Sequence, residues 1–247
     1  VDPRRPHAHA RHRAAREDPG GVARILQRID HVTIGVADLE AGIVAYRRIG
    51  FEIDNGGIAR NDGDYLQLVA ATREGLQSIA LASDDPAADS AAVQARRGIA
   101  YLTVTARNTE AASRHPNGVQ RIERVYIAVK DIAAAATHYA RVLGVPPPKM
   151  ERGTVIQADM AIFQFGPTAL GLAQPVAPGV CADALARSGP GPFQILYRTS
   201  SMDAAAKWMA DHGVPPPVRG VRNTGEQAML VPPAHACGVY IGFVGPA

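Results

Sequence analysis

One pattern recurs four times in this chain and limits what it can fold into. A run of alternating apolar residues is followed, seven residues after a fixed point in that run, by a short polar residue, then by an amphipathic stretch, then by Gly. In IDHVTIGVADLEAGIVAYRRIG the three marker residues are His31, Asp38 and Gly50; in RIERVYIAVKDIAAAATHYARVLG they are Arg124, Asp131 and Gly144. In PFQILYRTSSMDAAAKWMADHG they are Gln194, Ser201 and Gly213, and a weaker copy, LQSIALASDDPAADSAAVQARRG, has Ser78, Asp85 and Gly98. Alternation at period two predicts a strand with one buried face. Asp38, Asp85, Asp131 and Ser201 are good helix N-caps, because a short side-chain oxygen can accept from an orphan amide of the first turn. Pro86 then stands at the first helical position, where its missing N–H costs nothing. Leu39, Ile43 and Tyr46, or Met202, Ala205 and Met209, fall on one helical face, and the final Gly permits a left-handed C-cap. Each copy therefore reads as a strand followed by a helix packed on the strand's aliphatic face.

The four copies differ after the helix. Behind the third and fourth comes the same phrase, GVPPP, at 144–148 and 213–217, and then strand-like runs broken by turn signals such as GPT and NTG. These two units read as βαβββ. The first has only FEIDNGGIARNDGDYLQLVAA after its Gly, enough for about two strands at ordinary strand lengths, and the second runs almost directly into YLTVTA. The expected class is α+β, built of tandem βαβββ modules whose two N-terminal copies are truncated. The expected organisation is a disordered basic tail over 1–28, an N-terminal half over 29–105, a polar linker over 106–120 and a C-terminal half over 121–247.

Charge placement excludes one class of partner. The calculated pI is about 9.0, but residues 1–28 hold seven Arg against three acidic residues, while the rest of the chain holds 19 basic and 20 acidic. The body is thus near neutral, and with aromatics at only 5% no basic stripe interleaved with rings suggests nucleic acid. The tail has no apolar core of the kind a secretory signal needs, and its His7, His9 and His12 read as solvated. No apolar run approaches the roughly 18 residues that span a bilayer. Cys181 and Cys237 are isolated, which fits a reducing cytoplasm better than a disulfide framework or a zinc knuckle.

A tandem strand–helix–three-strand unit beginning IDHVTIGVADLEA resembles the vicinal oxygen chelate superfamily, which contains glyoxalases, bleomycin-resistance proteins and extradiol dioxygenases. The resemblance covers about residues 29–247. It implies paired modules whose curved sheets enclose a cavity, with helices outside. In catalytic members it also implies metal ligands, usually His and Glu, on the first and last strands of each module. Carried onto this sequence, the first-strand positions are His31, Ser78, Arg124 and Gln194, and the last-strand positions are about Gln67, Thr105, Gly171 and Gly242. The best metal set that can be assembled is His31, Gln67 and Gln194, which requires the first and fourth modules to pair. It offers three neutral donors and no anion, so no cofactor is favoured, and a divalent metal stays as the alternative. His115, His138, His212 and His235 read as structural or solvated.

By strand parity, Arg124, Tyr126, Gln194, Arg198 and Tyr240 share the face opposite the helix-packing aliphatics, with Gln157 and Gln227 on neighbouring strands and space left by Gly171 and Gly242. Guanidinium and amide groups in an apolar cavity suit a small organic ligand bearing a carboxylate or carbonyl. The other reading pairs Arg124 with Glu123 or Glu226 at the rim of the sheet. Three functions stay open: a glyoxalase-like small-molecule-binding protein without a catalytic metal, a metal-dependent lyase, isomerase or dioxygenase using His31, and a non-catalytic structural or interaction remnant. The expected partner is a small organic molecule, with an anion as one option, rather than nucleic acid or membrane, and the resemblance admits a homodimer.

Overall fold

The computed structural model describes residues 26–246. The first unit comprises β1 (Arg28–Val36), α1 (Leu39–Ile49), β2 (Ile58–Arg60) and β3 (Tyr65–Ala70), and the second β4 (Gly75–Ser83), α2 (Pro86–Ala95) and β5 (Leu102–Ala106). Together they make one five-stranded sheet in the order β2-β3-β1-β4-β5. The third unit is β6 (Val119–Ala128), α3 (Ile132–Leu143), β7 (Lys149–Gly153), β8 (Ala158–Phe165) and β9 (Thr168–Pro175). After α4 (Val180–Ser188), the fourth is β10 (Gly191–Thr199), α5 (Met202–Asp211), β11 (Val218–Val221), β12 (Gln227–Val231) and β13 (Tyr240–Gly245). These two units share an eight-stranded sheet, β11-β12-β13-β10-β6-β9-β8-β7, whose halves meet at the antiparallel β6–β10 pair. The architecture is the expected α+β arrangement of tandem units, with short N-terminal copies.

The four helices of the pattern start where the caps place them. Asp38, Asp85, Asp131 and Ser201 accept from the amides of Ala41, Ala88, Ala134 and Ala204. Gly50 and Gly144 close α1 and α3 at φ 102° and 68°, a region that costs an L side chain about 1–2 kcal/mol. Helices α1, α3 and α5 pack on one face of the sheets. There Val32, Ile34, Val125, Ile127, Ile195 and Ile241 enter a core continuous across both halves. Its centre is aromatic: Phe51 lies 5.0 Å from Tyr197 at 65° and 5.8 Å from Tyr46, with Phe243 beyond.

A second tie between the halves is polar. The Asp64 carboxylate, fully buried, accepts from Arg28 Nη2 (2.7 Å), from Asn61 and from the backbone amide of Ile122 in β6. Asn61 in turn accepts from His115 Nε2, while His115 Nδ1 accepts from the Glu52 amide at 2.9 Å. Burial drives the His115 imidazole down to about 4. The segment expected as a polar linker thus carries buried residues, His115 and Asn117 among them, and packs along the N-terminal half. Of the expected basic tail, residues 1–25, with His7, His9 and His12, lie outside the described residues. Leu26 is buried, and Arg28 already belongs to β1.

Candidate functional site

The register of the first strands places His31, Arg124 and Gln194 at equivalent points. In each unit the first strand slips by one residue against its antiparallel partner, and the extra residue is Asp30 in β1, Gln77 in β4, Glu123 in β6 and Phe193 in β10. The residue after it is His31, Ser78, Arg124 or Gln194, the same four positions that the sequence pattern aligns. A bulge places two consecutive side chains on one face of a strand and re-aims them. Here that is the inner face, turned away from α1, α3 and α5.

In the C-terminal half the bulge pair is Glu123 and Arg124, and the two side chains meet different fates. Glu123 is saturated: Arg198 donates Nε and Nη2 to its two oxygens at 3.0 and 2.8 Å, and Arg222 and Arg121 lie at 3.3 and 3.2 Å. Arg198 also donates to Glu226, and that bond holds the Glu226 carboxyl below its ordinary range. Arg124 is not saturated. It is 8% exposed, its Nη1 is 3.4 Å from Tyr126 Oη and 3.6 Å from Glu151 Oε2, and its Nε has no partner. Glu151 is shared with Lys149. Four guanidinium groups therefore face three carboxylates, and the least compensated of the four is Arg124. Gln194, on the neighbouring strand opposite Tyr126, is 3% exposed and its Oε1 is likewise without a partner. A buried polar atom left unbonded costs about 1–3 kcal/mol, so two of them on one face mark a place where a ligand's polar groups are wanted.

The open space is small. A gap of about 50 Å³ lies beside Tyr126, Glu151, Met160 and Arg222. Two turns tie across its mouth: Thr154 Oγ1 donates to the Val221 carbonyl at 3.1 Å, and Asn223 Nδ2 donates to the Arg152 carbonyl. The rest of the inner face is packed. The helix α4, which the sequence pattern does not announce, lays Cys181 and Ala184 against a cluster that includes Tyr126, Met160, Leu196 and Tyr240. Burial pushes the Cys181 thiol up to about 12, which leaves it protonated and unreactive.

Several sequence expectations are corrected by this geometry. Gln157 stands not on a strand but in the β7–β8 turn at φ 53°, bonded to the Thr154 carbonyl. Gln227 is exposed and shares its parity with Met229 and Val231, which face the helices. Arg198 does lie on the inner face, but its guanidinium is committed to Glu123 and Glu226. Those two acids, expected as partners of Arg124, belong to Arg198, and Arg124 has Glu151. Gly171 and Gly242 leave no vacancy: a Cβ there would come within 2.8 Å of Tyr126 Cδ1 or Leu196 Cδ1. Tyr240 sits opposite Gln194, edge-on to Phe193 and under the Arg187 guanidinium.

The metal set fares no better. His31 and Gln67 lie on the inner face of the five-stranded sheet, where Gln67 stands opposite Thr33 and the neighbour of His31 is Tyr65. Gln194 lies on the other sheet, so the three donors do not converge. His31 Nδ1 is 2.8 Å from Asp30 Oδ2, and its ring stacks on Tyr65 at 4.4 Å and 17°. In the C-terminal half the corresponding positions carry a guanidinium and an amide, flanked by Ala169 and Tyr240. A cation does not suit a site headed by an under-compensated arginine. Among the described residues, no three His, Cys, Asp or Glu are grouped to hold a metal ion.

Residues 123–230 match the family described as the Glyoxalase/Bleomycin resistance protein/Dioxygenase superfamily. That match spans most of the C-terminal half, and the fold of the described residues is the vicinal oxygen chelate fold. A variant of 4-hydroxymandelate synthase from Streptomyces coelicolor superposes over 90% of this chain and 93% of its own, with a TM-score of 0.66 at 12% identity. A xylose isomerase-like TIM barrel/4-hydroxyphenylpyruvate dioxygenase fusion protein gives 0.63 at 13% identity over 90% of this chain and 49% of its own. Methylmalonyl-CoA epimerase from Mycobacterium tuberculosis is 26% identical over 57% of this chain and 94% of its own, with a TM-score of 0.49. No curated protein matches the chain. At 12–13% identity, the two long superpositions speak for the fold.

Proposed function

We propose that this protein binds a small organic anion on the inner face of its C-terminal sheet, between Arg124 and Gln194, and does so without a resident metal. The observation that carries this reading is the contrast between two arginines on one face: Arg198 has two carboxylates in close contact, while Arg124, withdrawn from water, has an unbonded Nε and one carboxylate at 3.6 Å. A carboxylate or enolate would accept from Arg124 in the forked geometry that guanidinium offers and ammonium does not. The Gln194 amide can turn its Nε2 toward the same oxygen or its Oε1 toward a ligand hydroxyl. Entry runs past the paired turns at 154 and 223, which must part for anything larger than the gap they cover. A cytoplasmic location belongs to this reading and rests on the two free thiols. Among the described residues, no helix is long and apolar enough to cross a membrane.

A thermal-shift screen of small oxoacids and phenolic acids tests this. At least one such acid is expected to raise the melting temperature, Arg124→Lys to weaken its binding about tenfold, and Gln194→Ala to weaken it less, since a neutral hydrogen bond contributes less than a charge-assisted one. Stabilisation by no acid, or equal stabilisation of wild type and Arg124→Lys, would return Arg124 to a purely structural pairing. Elemental analysis of purified, untagged protein addresses the competing metal chemistry. The expected result is no stoichiometric Zn, Ni, Mn or Fe; about one tightly held metal per chain, lost on His31→Ala, would overturn the metal-free reading.

A further inference from the structure

A larger opening lies elsewhere, where the two halves meet. The first strands of the second and fourth units, β4 and β10, begin side by side, and a cavity of about 290 Å³ opens between their starts. Two of the four bulge residues, Gln77 and Phe193, line it. Gln77 is held in place by its own turn, donating Nε2 to the carbonyls of Arg73 and Gly75 at 2.9 and 3.3 Å. Phe193 and Tyr101 supply aromatic walls, and Leu76 adds to the apolar surface.

The rim is basic. Arg73 and Arg187 both border the opening, and among the described residues neither forms an ion pair, although most other arginines of the C-terminal sheet do. Arg187 is positioned all the same: Nη2 donates to the Gly238 carbonyl at 3.2 Å, and its guanidinium lies 5.4 Å from the centre of the Tyr240 ring. Glu74 is the one carboxylate on the rim, so the opening keeps a positive excess. Its backbone is also unusually accessible. A Cβ at Gly75, Gly189 or Gly191 would meet nothing within 4 Å, and the segment Ser188–Pro192 lines the space.

We propose that this cleft is a second ligand site, distinct from the Arg124 pocket, and that it takes an aromatic anion: a ring seated between Tyr101 and Phe193 with a carboxylate or phosphate held by Arg73 and Arg187. Unpaired guanidinium groups above an aromatic slot recognise both ends of such a molecule. The site needs both halves of the chain. Arg73, Gln77 and Tyr101 come from the five-stranded side, and Arg187 and Phe193 from the eight-stranded side.

Isothermal titration of the full chain with benzoate and with phenyl phosphate, and with benzyl alcohol as the uncharged comparison, tests the proposal. Saturable binding of at least one anion is expected, weakening as salt rises, with benzyl alcohol bound at least about tenfold less tightly. Arg73→Gln and Arg187→Gln are each expected to weaken the anion about fivefold to tenfold. Arg73→Gln touches nothing around Tyr240, so it serves even if Arg187→Gln disturbs the fold. Tighter binding of phenyl phosphate than of benzoate would mark the natural ligand as phosphorylated, and the reverse order as a carboxylic acid. Arg124→Lys separates the two sites: binding that survives it while falling with Arg73→Gln belongs to the cleft, whatever becomes of the Arg124 pocket. No saturable binding of either anion, equal binding of benzyl alcohol, or binding lost with Arg124→Lys and indifferent to Arg73→Gln would overturn the proposal.

Discussion

The two sheets carry the same bulge and put it to different use. In the eight-stranded sheet, outer strands and α4 wrap the inner face, so Glu123 and Arg124 are withdrawn from water and each must find its own compensation; Glu123 finds three arginines and Arg124 finds too little. In the five-stranded sheet no helix among the described residues covers the inner face, and Thr33, Gln67, Ser78 and Thr103 keep access to solvent. There the bulge pair satisfies itself, Asp30 bonding His31, with the Asn108 amide on the other carboxylate oxygen at 2.6 Å. The same backbone irregularity is thus a closed local pair where the sheet is short, and an under-compensated charge where the sheet is long enough to enclose it. Strand number, rather than the identity of the bulge residues alone, decides which one becomes a candidate ligand site.

The sharpest way to break this comparison is to separate the halves. Asp64→Ala removes the carboxylate that joins Arg28 and Asn61 to the Ile122 amide, leaving Arg28 buried without its partner, and is expected to cost about 3–5 kcal/mol. Urea unfolding followed by far-UV circular dichroism would register it. A change below about 1 kcal/mol would mean that the aromatic contacts of Phe51 hold the halves together unaided. Acid should act on the same junction. The His115 imidazole, unfolded near 6.5 and folded near 4, is held neutral by burial. Its contribution is intact above pH 6.5 and is lost as the pH falls toward 4, because the unfolded chain takes up the proton first. This group alone contributes a loss of about 3 kcal/mol across that window; the buried Asp64 carboxyl, pushed up to about 7 by desolvation, takes up its proton in the folded state first and acts with the opposite sign, so the His115 share is read as the difference between wild type and His115→Gln. The smallest effect concerns whether the halves unfold as one. Asp38→Ala and Asp131→Ala each remove one N-cap bond and should each cost about 1 kcal/mol, with a single transition retained; two resolved transitions, each moved by only one of the substitutions, would divide the molecule into independent parts.

How much of this could be read from the sequence depended on whether the deciding contact was local. The caps were legible, since Asp38 and Ser201 act within their own first turn. The marker positions His31, Ser78, Arg124 and Gln194 were legible as equivalent, but not as bulges, because a bulge exists only relative to the partner strand. The bulge that brings Glu123 and Arg124 together is also what parity counting passes over. Parity counting puts Gln227 on the wrong face and Gln157 in the wrong element, the latter because a left-handed non-glycine residue in a turn leaves no signature in composition. The helix α4 escapes the repeat pattern although Cys181, Ala184 and Leu185 have helical spacing: nine residues flanked by Gly179 and Gly189, without a side-chain cap, look like a loop. The cleft between β4 and β10 had no signal at all, since its two arginines are 114 positions apart and meet only through the packing of the halves.

The outermost strands of both sheets are brief: three and five residues for β2 and β5, four and five for β11 and β7. A sheet edge is a template on which a foreign strand can grow, and its hazard rises with its length and flatness. In the eight-stranded sheet the turns beside β7 and β11 are also bonded to each other, so that each edge faces the other across the mouth. Although Val218 and Val221 are exposed on β11, the described residues offer no long border for runaway strand addition, so the rims of both sheets are poor seeds for fibril growth.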